Sequence, residues 1–333
     1  MPTDPARTLP DGSWDDIARD FQWSIPADFS IHHWCNTRWA EADPNRAAVI
    51  DLAGEGTRRV WSHGELKDAS DRLAAALAGW GVARGDRVAV LLPQCAEVMI
   101  AHFAAMKLGA IVLPLFTLFG EEALAFRLSD SGAKVVVTDD TGVGKLRGLS
   151  DALPALTRVV TVGDAAGAEH LSDILRTTPP IAALAEVCAE DPAVLIYTSG
   201  TTGPPKGALH AHRFLIGHLP CVELNLEGFP QEGDVGWTPA DWAWIGALMD
   251  LALPCLYYGI PVVARRFAKF DASAAWSLIE REGVSVAFLP PTALKLMRQV
   301  AVPKGLRLRA INSGGESLAS DLLDWAEGEV GVA

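Results

Sequence analysis

The sequence predicts an α/β fold of two stacked, mostly parallel sheets flanked by helices, on three observations. Short β-branched runs alternate with helical patterns from Val60 to Thr138, the mark of βαβ units. A second such run begins at Ala193, so the 333 residues divide between two cores, on a prior of ~150 residues each. The strand Ala193-Val-Leu-Ile196 then runs into Tyr197-Thr-Ser-Gly-Thr-Thr-Gly-Pro-Pro-Lys-Gly207, a loop at the strand end where open α/β sheets bind ligands.

Residues 1–45 carry Trp14, Trp23, Trp34 and Trp39 among polar residues and prolines. They read as a helical segment whose indoles are packing anchors. A first α/β subdomain follows over 46–190. Ser62-x-x-Glu65 has the form of a capping box, and Leu66, Ala69, Leu73, Leu77 and Trp80 fall at helical spacing before Gly81. Strands are expected at 87–92, 110–114, 134–138 and 158–162, with helices at 96–108 and 121–131 between them. Residues 163–191, rich in Ala, Thr and Pro, read as a connection. The second subdomain, 191–333, holds the loop, a helix from about Leu209, strands at 235–238, 261–264, 284–289 and 308–312, and helices at 272–282 and 292–300. The halves show no repeat.

Charge and cysteine content narrow the function. Lys+Arg 28 against Asp+Glu 41 gives a net −13, which argues against non-specific nucleic-acid binding and against an anionic membrane surface. An anionic substrate therefore needs a local positive pocket. The five cysteines, at 35, 95, 188, 221 and 255, are odd in number and widely spaced. They read as buried thiols in a reducing compartment, and no Cys/His spacing suggests a protein metal site. The first residues lack the apolar core of a signal peptide, so a cytoplasmic location is expected. Residues 245–264 contain a single charge, Asp250, but Pro254, Gly259 and Pro261 interrupt them. A core helix followed by a strand fits them better than a membrane span.

The loop has the composition of an anion grip. Gly200, Gly203 and Gly207 permit positive φ, Thr198, Ser199, Thr201 and Thr202 add hydroxyl donors, and Lys206 adds a mobile charge. A Walker A loop is excluded because Lys206 is followed by Gly207 instead of Ser or Thr. Downstream, Trp237, Trp242 and Trp244 with Asp241 lie within ten residues, enough indole to wall an apolar pocket or to pack a core. Asn312-Ser-Gly-Gly-Glu-Ser317 leaves a strand through glycines toward a helix. Taken alone, a plain strand-to-helix turn and a close approach to a flat ligand fit it equally. His210 and His212 fall on the expected helix and are given no catalytic role.

The loop closely resembles the signature of the adenylate-forming superfamily, which includes acyl-CoA synthetases, aryl-CoA ligases, firefly-type luciferases and peptide-synthetase adenylation domains. The resemblance is closest to short- and medium-chain acyl-CoA synthetases. Trp237, Asp241, Trp244 and Gly246 match their block Trp-x-x-Ala-Asp-x-Gly-Trp and its following glycine, with Ala243 in place of the internal glycine. Pro291 and Thr292 match an Ala-Pro-Thr segment, with Pro290 replacing the alanine.

The resemblance implies ATP-dependent activation of a carboxylic acid to an acyl-adenylate, then thioester formation with coenzyme A. Thr198, Ser199, Gly200, Thr201, Thr202, Gly203 and Lys206 would hold phosphates bridged by Mg2+, with Lys206 and Thr201 as the catalytic pair. Gly314, Gly315, Glu316 and Ser317 would receive adenine, and Trp237, Asp241, Trp242 and Trp244 the acid. The family pattern continues with a Tyr-Gly-x-Thr-Glu block and a small C-terminal domain that this sequence lacks. The expectation is a truncated N-terminal portion with little turnover, exposing apolar surface that favours a homo-oligomer. Two other classes share these residues: a non-catalytic nucleotide- or partner-binding fragment, and a peptide-synthetase adenylation domain, which the Trp-rich block disfavours, as does the lack of any sign of the aspartate such domains use for an amino group.

Overall fold

The structure, a computed structural model, describes residues 7–52, 56–198 and 203–332. The chain forms two compact units, one of residues 1–25, 45–62 and 215–333 and the other of residues 26–44 and 63–214. They interleave along the chain, in contrast to the consecutive blocks divided at 45 and 190 that a linear reading expects. Sheet pairing is the reason. Ala47–Asp51 lies parallel to Val262–Ala264, and Pro192–Thr198 joins Ile111–Pro114, associations that local pattern does not encode.

In the unit of residues 63–214, seven strands lie in the order Glu169–His170, Arg158–Thr161, Val135–Thr138, Arg87–Leu91, Ile111–Pro114, Pro192–Thr198 and Lys206–Ala211. Every pairing is parallel except the last. The central strands are unbroken apolar runs because both faces are covered. Helix Ala96–Lys107 is buried along all but one residue, which explains its lack of a polar face. Helix Glu121–Ser131 falls where its pattern predicts and stops at Gly132, whose φ of +58° gives the left-handed C-terminal turn. The connection expected at 163–191 contains the two-residue strand Glu169–His170 and helix Leu171–Thr177. A strand that short has no period to read.

One expected element is corrected. No helix starts at Leu209; Lys206–Ala211 is a strand antiparallel to Pro192–Thr198, and the helix begins at Phe214. His210 and His212 therefore leave the helix. The His210 ring stacks on Phe214 at 3.9 Å, and buried His212 accepts the Ile31 amide through Nδ1 at 3.1 Å.

Burial holds the imidazoles of His102 and His212 down, to about 3 and about 4, and keeps His32 well below its ordinary value, with nearby Lys107 adding to the effect. The unfolded chain takes up protons at these positions below the ordinary imidazole pKa of 6.5, while the folded chain does not. Their stabilisation is complete above that pH and is lost as pH falls toward the folded values, by about 1.4 kcal/mol per pH unit for each histidine. Urea denaturation at pH 7, 6 and 5 is expected to show a steep loss; a midpoint constant across that range would contradict it.

The other unit has six strands in the order Ala310–Asn312, Val286–Phe288, Gly236–Trp237, Val262–Ala264, Ala47–Asp51 and Arg59–Ser62, again parallel except the last pair. Helix Ala272–Glu282 is capped by the Asp271 carboxylate, which accepts the Ala274 amide at 2.9 Å, and ends at Gly283 with φ +64°. It buries Trp276, whose indole N–H donates to the Met297 carbonyl at 3.2 Å. Fully buried Glu223 ties down the amino-terminal segment, accepting from the Thr8 amide at 2.7 Å, the Leu9 amide at 2.9 Å and the Tyr258 hydroxyl.

Two further expectations change. Trp39 is buried, but Trp14 and Trp23 stand in solvent, so these two do not anchor the segment. Cys35, Cys95 and Cys255 are buried, whereas Cys188 and Cys221 are exposed, the first in an extended connection and the second on an outward helix face. Residues 245–264 do form a core helix and strand: Ile245–Ala247, a π-helical turn at Leu248–Ala252, Leu253–Tyr257 and then Val262–Ala264. Among the described residues no helix is long and apolar enough to cross a membrane.

Candidate active site

The phosphate-loop candidate links two antiparallel strands, Pro192–Thr198 and Lys206–Ala211. Across its mouth Thr198 faces Lys206 and Tyr197 faces Gly207 in the strand register. Thr198, Gly203 and Lys206 are exposed, and Gly203 has φ +91°, a value only glycine adopts at ease. Ser199, Gly200, Thr201 and Thr202 lie outside the described residues. Gly207 is needed for a different reason from the positive φ expected of it: a Cβ there would stand 2.9 Å from Leu195 Cδ1 and 3.3 Å from Tyr197 Cζ. The base is held by Tyr197, whose hydroxyl donates to the Asp130 carboxylate and whose phenol is pushed up by burial and then by that carboxylate. The chain leaves the loop into strand Lys206–Ala211, not into a helix start.

In the other unit, strands Gly236–Trp237, Val286–Phe288 and Ala310–Asn312 are parallel neighbours. Their carboxyl ends deliver the Trp block, the Pro290-Pro291-Thr292 segment and the Ser313–Ser317 turn to one edge of the sheet, the edge where such sheets bind ligands. Trp237 and Trp242 are core residues, whereas Trp244 is 51% exposed. Asp241 shapes the chain: its carboxylate accepts the Ala243 amide at 2.9 Å and its carbonyl accepts the Trp244 amide at 3.0 Å. Ala243, standing where the resembled block has glycine, is not among the residues with positive φ, so alanine meets no backbone strain.

Phe288 organises this edge. A Cβ on Gly246 would come within 2.5 Å of its Cζ, and one on Gly314 within 3.8 Å of its Cε2. The ring therefore leaves no room for a side chain at Gly246 and stands close to Gly314. Gly315 has φ +91°, Gly315, Glu316 and Ser317 are exposed, and the buried Ser313 hydroxyl has no hydrogen-bond partner among the described residues. The turn does not enter a helix directly; helix Ser320–Trp325 starts three residues after Ser317, so Glu316 sits outside its first turn. Thr292 is exposed on helix Pro291–Met297.

Phe288 and Ser313 went unnoticed in the sequence, the first because it looks like any strand residue, the second because its orphaned hydroxyl exists only in three dimensions. Among the described residues no group of three His, Cys, Asp or Glu side chains could hold a metal ion.

The family model for AMP-binding enzymes matches residues 36–333. The chain belongs to the AMP-binding enzyme family. This family member is 30% identical to acetyl-coenzyme A synthetase 2 of Kluyveromyces lactis, over 94% of this chain and 49% of that protein. It superimposes on an acyl-CoA synthetase of Brucella canis with a TM-score of 0.84 and 27% identity, covering 96% of this chain and 60% of that one. An inhibitor-bound N-terminal domain of FACL13 from Mycobacterium tuberculosis gives a TM-score of 0.79 and 26% identity, covering 91% of this chain and 74% of that domain. The AMP-binding chain thus spans about half the length of the curated relatives it matches.

Proposed function

We propose that this protein activates a carboxylic acid with ATP and passes the acyl group to coenzyme A. A carboxylate oxygen attacks the α-phosphorus, the bond from that phosphorus to the bridging oxygen breaks, and pyrophosphate leaves. The thiol then attacks the acyl carbon, AMP departs with the mixed-anhydride oxygen, and the thiol proton passes to solvent. Thr198, Gly203 and Lys206, with 199–202, take the β- and γ-phosphates, and Lys206 and Thr201 stabilise charge as it shifts toward pyrophosphate. Gly314, Gly315, Glu316 and Ser317 receive adenine, and the Trp block receives the acid. Mg2+ would neutralise phosphate charge while held chiefly by phosphate oxygens and water, as that ion commonly is, a role that asks for no protein cage.

The observation that carries this reading is the register that sets Lys206 opposite Thr198 at the mouth of the hydroxyl-rich loop. Replacing Lys206→Ala is expected to weaken ATP binding by about tenfold or more, the worth of one charge-assisted hydrogen bond, with partial recovery in Lys206→Arg. Calorimetric titration measures this, and unchanged affinity in the alanine variant would sink the assignment. A pyrophosphate-release assay across acids from acetate to decanoate, plus benzoate, tests the chemistry. Apolar pockets separate neighbouring chain lengths by only ~1–3 kcal/mol per methylene, so a broad profile is expected. Nucleotide binding without pyrophosphate release would favour a non-catalytic nucleotide-binding role instead.

A further inference from the structure

From Ala247 to Ile260 every residue is buried except one. That one is Asp250, the only charge between Ile245 and Ala264, with its side chain 26% exposed. It lies within the π-helical turn Leu248–Ala252, a form of helix frequent at functional sites. Within the helical segment that begins at Ile245, Gly246 and Asp250 are partly exposed and four residues apart. Asp250 lies four residues past Gly246, about 6 Å farther along the helix axis.

The carboxylate has a partner on a different helix. His218, on Phe214–Asn225, places Nδ1 at 2.6 Å from Asp250 Oδ1, and its side chain is 20% exposed. An ionised carboxylate only accepts, so Nδ1 carries the proton and donates. His218 is the only residue hydrogen-bonded to Asp250 among those described, and the bond uses one of the two carboxylate oxygens. The second, Oδ2, is an acceptor with no partner among the described residues, on a side chain 26% exposed in an otherwise buried apolar segment.

We propose that the His218–Asp250 pair reads a hydrogen-bond donor on the tail of the acid, so that the preferred substrates are carboxylic acids bearing a hydroxyl or ammonium group away from the carboxylate. The inference rests on the acid-activating function proposed above and specifies its substrate class. A site built to bond a donor discriminates against the analogue lacking it far more strongly than an apolar wall discriminates by length, because the empty analogue leaves the site's polar group unpaired. The two donors differ in charge, and Asp250 gives the ammonium an ionic partner as well.

The test uses adenylate mimics that need no turnover. Sulfamoyladenosine is titrated alone and as its conjugates with hexanoate, 6-hydroxyhexanoate and 6-aminohexanoate, together with the butyrate pair, on the full chain by calorimetry. The donor-bearing conjugates are expected to bind about tenfold or more tighter than the plain ones, and Asp250→Ala is expected to bring that ratio near one. Asp250→Asn guards against a folding defect: it keeps the shape and the bond from His218 Nδ1, with an NH2 donor in place of Oδ2, so it should lose the amino preference and keep part of the hydroxyl preference, the hydroxyl oxygen now accepting. Ratios near one in the unaltered protein, or a ratio that survives both substitutions, would overturn the proposal. If sulfamoyladenosine itself binds and no donor-bearing conjugate gains, this inference alone fails; if sulfamoyladenosine does not bind, the nucleotide reading fails and takes this one with it.

Discussion

Gly246→Ala is expected to lower stability by about 1–3 kcal/mol, the usual penalty for overpacking a filled core, and to weaken adenosine binding at the same time. The new methyl group would lie 2.5 Å from Phe288 Cζ and 3.1 Å from both Cε atoms. The ring is 7% exposed, so it cannot swing into solvent. Its Cε2 and Cζ also lie 3.8 and 4.0 Å from where a Cβ on Gly314 would stand, so the ring borders the 313–317 turn. Phe288→Leu in the Gly246→Ala background should recover part of the lost stability by removing the ring edge, a coupling that a double-mutant cycle reads directly. Denaturation curves and sulfamoyladenosine titrations on the four proteins decide it; full stability with unaltered affinity in Gly246→Ala would show that Phe288 does not link helix and turn.

Asp71→Ala is expected to cost about 3–5 kcal/mol, because it strands a buried cation. The Lys107 ammonium is fully buried, 2.6 Å from Asp71 Oδ1 and 2.6 Å from Ser70 Oγ. Burial brings its pKa down to about 8 even with Asp71 pulling the other way. Between about 8 and the ordinary lysine value of 10.5 the unfolded chain holds more protons than the folded one, so stability rises with pH across that window. Without Asp71 the folded value drops further and the window opens downward. The loss caused by Asp71→Ala should therefore be smaller at pH 9 than at pH 7 in urea denaturation, and an equal loss at both would show that Lys107 does not carry the effect. Pairing Asp71→Leu with Lys107→Met should restore most of the stability, since apolar replacements of a buried pair remove both desolvation costs.

Elements with local punctuation were legible from the chain alone. Helices Glu121–Ser131 and Ala272–Glu282 begin and end where predicted, because Gly132 and Gly283 supply left-handed stops and Asp271 a cap whatever the surroundings. Strand Lys206–Ala211 was not legible. Lys-Gly-Ala-Leu-His-Ala has little strand preference, and the ladder to Pro192–Thr198 overrides it. The same ladder makes the segment after the phosphate-loop candidate a strand instead of a helix start.

The amino-acid sequence by itself determined the α/β class, the family and the residue types of the phosphate loop, the Trp block and the glycine turn, since these depend on composition and spacing within a few residues. Only the tertiary structure decided that Phe288 fills the space beside Gly246, that Ser313 buries a hydroxyl with no partner among the described residues, and that Asp250 meets His218 across 32 positions. Such contacts arise from which strands become neighbours and which helices pack, and hydrophobic burial, being non-directional, leaves no mark of its partners in the local order of residues.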